Sequence, residues 1–138
     1  MSDDPPSPRI LLSNRQEYAV DEERLQELAR ATLLAEGAVD KELSISLVTT
    51  EEMAGLHEQY MGEPGPTDVL SFPQDEDGLL GDVVVCPTVA AEQNPDVASE
   101  VRLLLVHGIL HLLGYDHERE QDRTRMWARQ ERYTGVRA

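Results

Sequence analysis

Apolar residues recur along this chain with two different periods, and each period marks a different kind of element. Between residues 21 and 36 they fall at Leu25, Ala29 and Leu33, the spacing of a helix with one buried face. Between residues 42 and 49 apolar and polar residues alternate, the pattern of a half-buried strand. Helical and strand-like segments therefore follow one another in a single chain.

The same patterns, with Asp21 as a helix cap and Gly37 and Gly114 as helix stops, divide the whole chain into elements. Helices are predicted over 21–36, 49–60, 88–93, 97–113 and 118–133, and strands over 10–12, 42–49, 69–72 and 79–86. Pro73 is expected to end the third strand. We predict one α+β domain over 1–138, a small mixed sheet packed with helices, preceded by a loose lead over 1–8.

Aromatic residues are scarce, so the core is expected to consist of Leu, Val, Ile and Ala. In the last helix, Met126, Trp127 and Tyr133 are the expected core contacts.

Charge is distributed unevenly over the 138 residues. The formal net charge of −15 at pH 7 argues by itself against a nucleic-acid partner. The segment 118–138, in contrast, holds six arginines and four acids. These arginines either pair with neighbouring carboxylates on a solvated helix or face an anionic partner, and the sequence leaves both readings open.

Targeting signals are not evident. The N-terminal MSDDPPSPR lacks the basic start and apolar core of a signal peptide, and no stretch approaches the roughly 20 apolar residues that cross a bilayer. The single cysteine, Cys86, fits a reducing compartment. We expect a cytoplasmic protein without a membrane partner.

Three of the four histidines lie within eleven residues, in the motif HGILHLLGYDH at 107–117. On a helix, His107 and His111 lie on one face, ~6 Å apart along the axis. Two imidazoles so placed can bind one zinc ion at ~2.0 to 2.1 Å. The motif therefore predicts a metal site at the C-terminal end of a central helix.

Gly114 ends this helix and can reverse the chain, which gives His117 a route back toward the pair. Three imidazoles leave a fourth position for water, the pattern of a catalytic zinc site. We predict one zinc ion per chain on His107, His111 and His117. Asp116 either orients a ligand or takes a proton from bound water, or it is a turn residue that caps the last helix.

The histidine spacing also matches that of the metzincin metalloproteases. Those enzymes have a glutamate directly after the first histidine, where it acts as the general base. Here that residue is Gly108, which cannot take a proton. Peptide hydrolysis by that mechanism is therefore the less favoured interpretation.

Two motifs together, HGILHLLGYDH at 107–117 and PTDVLSFP at 66–73, resemble the YbeY family of bacterial endoribonucleases. A weaker match is LLGDVVVC at 79–86, and the order of the elements agrees over roughly residues 9–133. The resemblance implies a zinc-dependent endonuclease of single-stranded RNA. It also implies a role in maturation of the 3′ end of 16S ribosomal RNA and in ribosome quality control.

The matched loop and strand supply the candidate cleft residues Thr67, Asp68 and Ser71, which turn and strand chemistry explains equally well. At the position before Gly62, where the family usually has an arginine tied to nuclease activity, this chain has Met61.

A methionine cannot hold a phosphate, so another cation is needed if RNA is cut efficiently. Arg102 and Arg119 are the candidates, although a structural salt bridge explains either one. The alternative function is a ribosome-assembly factor that binds small-subunit proteins and has weak or no nuclease activity.

Overall fold

The computed structural model describes residues 7–76, 78–115 and 119–135, apart from the side chain of Asp75. The elements, in chain order, are β1 (Arg9–Asn14), α1 (Glu22–Ala35), β2 (Glu42–Leu47), α2 (Thr50–Met61), β3 (Val69–Glu76), β4 (Leu79–Val85), α3 (Pro87–Gln93), α4 (Val97–Leu112) and α5 (Glu120–Thr134). Most of the lead predicted for 1–8 lies outside the described residues.

The four strands form one mixed sheet in the order β1-β2-β4-β3. β1, β2 and β4 run parallel, and β3 lies antiparallel to β4 at one edge. Helices pack on both faces, so the predicted α+β class with a small mixed sheet is confirmed.

Local signals set the helix ends as expected. The Asp21 side chain accepts a hydrogen bond from the Arg24 backbone at the start of α1, and Thr49 caps α2 through the Glu52 backbone. Each cap satisfies an N–H group that the first turn of a helix leaves without a partner.

The expectation that Pro73 ends the third strand was wrong. β3 continues to Glu76, with an irregular register between Pro73 and Glu76. A proline has no N–H to donate, but β3 is an edge strand, where a missing donor on the open side costs no ladder bond.

The larger core lies between one sheet face and the helices α1 and α4. Its members are almost all aliphatic, and those with an exposed fraction of 1% or less include Ala29, Leu33, Leu43, Ile45, Leu47, Val83, Val85, Val101, Leu105 and Ile109. The opposite sheet face packs against α2 through Met53, Leu70 and Val84.

Helix α4 lies unusually close to the sheet at Gly108. A Cβ atom on residue 108 would lie 2.6 Å from Cγ1 of Val83 and 3.2 Å from Oγ of Ser71. The Ser71 hydroxyl donates a hydrogen bond to the Gly108 carbonyl over 3.2 Å. Only a residue without a side chain permits this contact between helix and sheet.

The expectation that Trp127 contacts the core was also wrong. Met126 is fully buried and packs with Val106 and Leu110, whereas 54% of the Trp127 surface is exposed. Neighbouring residues on a helix point about 100° apart, so burying Met126 turns Trp127 toward solvent.

The packing at Gly108 gives the first prediction. We expect Gly108→Ala to lower the free energy of unfolding by about 1–3 kcal/mol, because the added methyl group overpacks the contact with Val83. Gly55→Ala in α2, where nothing lies within 4 Å of the added atom, is the matched control. It should raise the free energy of unfolding by up to about 1 kcal/mol through helix propensity. Denaturant unfolding measures both changes, and a Gly108→Ala protein as stable as the control would contradict the packing argument.

Candidate metal centre

His107 and His111 lie one turn apart near the C-terminal end of α4, as predicted. His107 is half-buried and His111 is exposed. The helix presents both imidazoles away from the apolar residues that pack on the sheet. On one side of them is β3, held at Gly108 by Ser71, and on the other is α5, which contacts His107 through Gln130. We call the surface between β3 and α5 the histidine groove.

The α5 side of the groove supplies a partner for His107. Nδ1 of His107 lies 2.8 Å from Oε1 of Gln130, and only 3% of the Gln130 surface is exposed. With the amide oriented so that its oxygen faces the ring, the oxygen can only accept, which assigns the imidazole proton to Nδ1. Nε2 of His107 then keeps a lone pair for a ligand.

This arrangement fits a metal ion in the chemistry of its donors. A metal-binding histidine usually donates its second ring N–H to a carbonyl or carboxylate, which fixes the tautomer. Within 7–76, 78–115 and 119–135, no three His, Cys, Asp or Glu side chains are grouped closely enough to hold a metal ion. The predicted third ligand, His117, and the neighbouring Asp116 lie outside the described residues.

Hydrogen bonds connect the turn at Gly114 and Tyr115 with α4, with the end of α1 and, through Glu36, with α5. Gly114 adopts a φ of 104°, and the Tyr115 backbone donates to the Leu110 carbonyl over 3.1 Å. The Tyr115 hydroxyl donates to Oε1 of Glu36, at the end of α1, over 2.7 Å. From α5, Arg129 Nε donates to Oε2 of Glu36 over 3.1 Å, and the Tyr133 hydroxyl donates to the same oxygen.

The charges of this cluster are interdependent. Burial alone would raise the pKa of Glu36, but hydrogen bonds from Tyr133, Tyr115 and Arg129 outweigh it and hold that pKa below its ordinary value. Burial and the hydrogen bond to Glu36 raise the pKa of Tyr133 to about 12. Glu36 is therefore anionic, and both phenols stay protonated, over the physiological range.

The predicted cleft residues lie at two different levels of α4. Ser71 contacts the helix beside His107. Asp68 accepts hydrogen bonds from the Val69 backbone at 2.7 Å and from Gln93 at 3.2 Å, with Thr67 at 3.5 Å.

Burial and the Asp68 charge raise the pKa of Glu100, which lies in the first turn of α4. Glu100 is two turns before His107, roughly 10 Å along the helix.

The two arginine candidates differ in position. Arg102 precedes His107 by five residues, about 140° around the helix, and lines a cleft with Val20, Arg24 and Leu25 on the α1 side. Its Nη2 donates to Ser99 Oγ over 3.1 Å. Arg119 is the N-cap residue of α5 and is exposed. In the sequence it follows residues 116–118, which lie outside the described part of the chain.

The histidine groove is not the largest depression of the described surface. A groove of about 760 Å³ lies where β1 and β2 end and α2 begins, lined among others by Asn14, Tyr18 and Thr50. Neither His107 nor His111 lines it. This groove and the histidine pair are therefore separate features of the surface.

Comparison with known proteins identifies the family. A family model described as Endoribonuclease YbeY matches residues 11–135. The chain belongs to the YbeY family. The endoribonuclease YbeY of Kineococcus radiotolerans is 47% identical over 138 residues, covering 89% of this chain and 73% of that protein. That of Thermobifida fusca is 47% identical over 137 residues, covering 88% of each chain.

A solved structure shares this fold. The solution structure of a Thermotoga maritima protein matches with a TM-score of 0.61 and 32% identity. The match covers 92% of this YbeY-family chain and 86% of the other.

Sequence reasoning missed Gln130 and Glu36. Gln130 was detectable as a polar residue one turn after Met126, on the buried side of α5. Glu36 is the C-cap residue of α1, where the helix dipole disfavours an anion. An acidic residue at this position of the sequence was therefore a sign that the fold supplies a positively charged or hydrogen-bonding partner.

The Glu36 cluster gives the second prediction. At neutral pH, Glu36→Gln should lower the free energy of unfolding by about 1–3 kcal/mol, because it removes the charge that Arg129 and the two phenols bind. Folding lowers the Glu36 pKa, so its charge stabilises the folded state above the ordinary value of 4.5, and this stabilisation is lost as the pH falls through the lowered value. The difference from the unaltered protein should therefore shrink below about pH 4.5. Denaturant unfolding at several pH values measures it.

Glu27→Gln is the matched control, since Glu27 is exposed on the same helix. It should change the free energy of unfolding by less than about 0.5 kcal/mol at any pH. Equal effects of the two substitutions would contradict the role assigned to Glu36.

Proposed function

We propose that this protein is a zinc-dependent endoribonuclease that cuts single-stranded RNA, with one zinc ion held by His107, His111 and His117. The observation that carries the proposal is the hydrogen bond between His107 Nδ1 and Gln130 Oε1 at 2.8 Å. It directs the Nε2 lone pair of His107 to the same helix face as His111. Membership of a family described as endoribonucleases supplies the class of substrate.

When bound, a zinc ion on three imidazoles supplies a Lewis acid for a phosphate oxygen and an acidified water. The protein's own residues hold and orient the groups around the ion. Gln130 keeps the His107 ring in one tautomer, and Ser71 holds β3 against α4 at the adjacent residue. Asp116 is the candidate for moving a proton, and Arg119 is the candidate for holding a phosphate.

The proposed substrate is the 3′ region of 16S ribosomal RNA, and small ribosomal subunit proteins are the proposed partners. The family resemblance of HGILHLLGYDH and PTDVLSFP supports both. No helix in the described part of the chain is long and apolar enough to cross a membrane. We omit Arg102 from the site because it lies on the α1 side of α4.

Hydrolysis of peptides is disfavoured by the packing of α4. A glutamate at 108 would place its Cβ within 2.6 Å of Val83, so the general base of that enzyme class has no room here. We place the reaction at phosphorus because the chain belongs to a family described as endoribonucleases.

The third prediction tests the metal and the activity on one preparation. His111→Ala should lose zinc and abolish cleavage of a 16S 3′-end RNA while keeping the circular dichroism of the fold. Gln130→Ala should bind zinc about 10–100-fold more weakly, because the ring loses its orienting acceptor. Competition with a chromogenic chelator measures the affinity independently of cleavage.

Gln121→Ala is the control, since Gln121 is an exposed glutamine on the same helix. Its zinc affinity should equal that of the unaltered protein. Undiminished cleavage by His111→Ala would refute the nuclease proposal, and unchanged zinc affinity in Gln130→Ala would refute the role of Gln130.

A second candidate function is a ribosome-assembly factor with weak or no nuclease activity. The observation that favours it is Met61, which is 59% exposed at the end of α2 and offers no charge to a phosphate. The fourth prediction is specific to this candidate. The zinc-loaded protein would then co-purify with small-subunit proteins and leave RNA intact. Chelator-sensitive cutting by the same preparation would reject it.

A further inference from the structure

Trp127 and Arg123 form an exposed pair on α5 that the proposed metal site does not use. The guanidinium carbon of Arg123 lies 5.7 Å from the centroid of the Trp127 ring. Trp127 is 54% exposed and is the single tryptophan of the chain. The indole is thus half open to solvent and has a cation against its ring.

The packing of α4 against α5 locates this pair along the histidine groove. Gln130 contacts His107, and Met126, one turn earlier on α5, packs with Leu110 near the end of α4. The two helices therefore run in opposite directions. His111, next to Leu110, lies at the level of the turn of α5 that carries Met126 and Trp127.

Helical geometry shows which side of α5 the pair occupies. Around the axis of α5, Met126 is rotated about 40° from Gln130 toward the core. Trp127 is rotated about 60° from Gln130 in the opposite direction. Arg129 and Tyr133 lie on the core side, where they bind Glu36. Trp127 and Arg123 consequently border the groove on the side where the histidines are open.

Arg123 and Arg129, both on α5, have different partners. Arg129 is paired with Glu36, which accounts for one cation of the C-terminal segment. Among the described residues, no carboxylate lies within 4.0 Å of the Arg123 guanidinium, which contacts the Trp127 ring instead. Glu120 and Glu131 occupy the same flank of α5 as Arg123, so these three side chains sum to −1 and affinity there must come mainly from stacking.

We propose that Arg123 and Trp127 form a docking platform for single-stranded RNA at the rim of the histidine groove. A base stacks on the exposed indole, and Arg123 binds the adjacent phosphate. Aromatic faces combined with cations are how proteins bind single strands without reading their sequence. The platform rests on the proposed function, because it positions the strand whose phosphodiester lies over the histidines.

Fluorescence tests the platform directly, since every indole signal comes from Trp127. A single-stranded oligouridylate is titrated into the full-length His111→Ala protein, which leaves the RNA intact. We expect saturable quenching, and none with a duplex RNA of equal length. In the otherwise unaltered zinc-loaded protein, Trp127→Ala and Arg123→Gln should each raise KM for single-stranded RNA about tenfold, with a smaller change in kcat.

Two further variants separate stacking from charge and from folding. Trp127→Phe keeps a stacking face and should restore most of the KM lost in Trp127→Ala. Arg132→Gln removes the same charge from the opposite side of α5, about 140° from Trp127 and about 180° from Arg123, and should leave KM unchanged.

The outcomes distinguish this inference from the proposed function. Cleavage with a normal KM in Trp127→Ala and Arg123→Gln, and no quenching by the oligouridylate, would overturn the platform while leaving the nuclease intact. Equal quenching by duplex RNA would also overturn it. An unaltered protein that neither binds nor cuts RNA would remove the proposed function and the platform together.

Discussion

The contact between α4 and the sheet at Gly108 is the constraint on which the rest of the site depends. With no side chain at 108, the helix settles against Val83, and Ser71 bonds its hydroxyl to the Gly108 carbonyl. This contact sets the edge strand β3 beside His107. Because apolar residues take up the sheet-facing side of α4, the two histidines are left on the open side, between β3 and α5. The position of the two histidines is thus a consequence of core packing.

A partly buried carboxylate then connects that helix to the rest of the fold. Glu36 stands where the dipole of α1 disfavours a negative charge, and it is stable there because Arg129, Tyr115 and Tyr133 all donate to it. Removing one donor would leave the charge with fewer partners in a partly buried place. The same carboxylate therefore ties α1, the turn after α4 and α5 into one unit, and it fixes the last described residue before the Asp116–His117 pair.

Local patterns predicted most of this structure, and long-range contacts account for what they missed. Helix periodicity, the caps at Asp21 and Thr49, and the stop at Gly114 act over a few residues, so element order and the histidine pair were readable from the sequence. Whether Pro73 may lie within a strand depends on that strand being at an edge, which is a property of the whole sheet. Gln130 and Glu36 act on residues far along the chain, and no nearby pattern encodes their partners. The outward side of Trp127 was likewise decided by how α5 lies on α4.

The strongly acidic composition bears on how such a protein would handle a polyanion. A formal charge of −15 opposes the approach of RNA at long range, so electrostatic steering cannot supply the affinity. With Arg129 paired to Glu36 and Arg123 as the cation of the platform, binding would release few counterions. Added salt weakens a contact such as Arg123 with phosphate, but it also screens the repulsion from the acidic surface, and the two effects oppose each other. Short-range stacking on Trp127 is insensitive to both. On this view the open indole compensates for a surface charge that would otherwise keep a single strand away from the histidines.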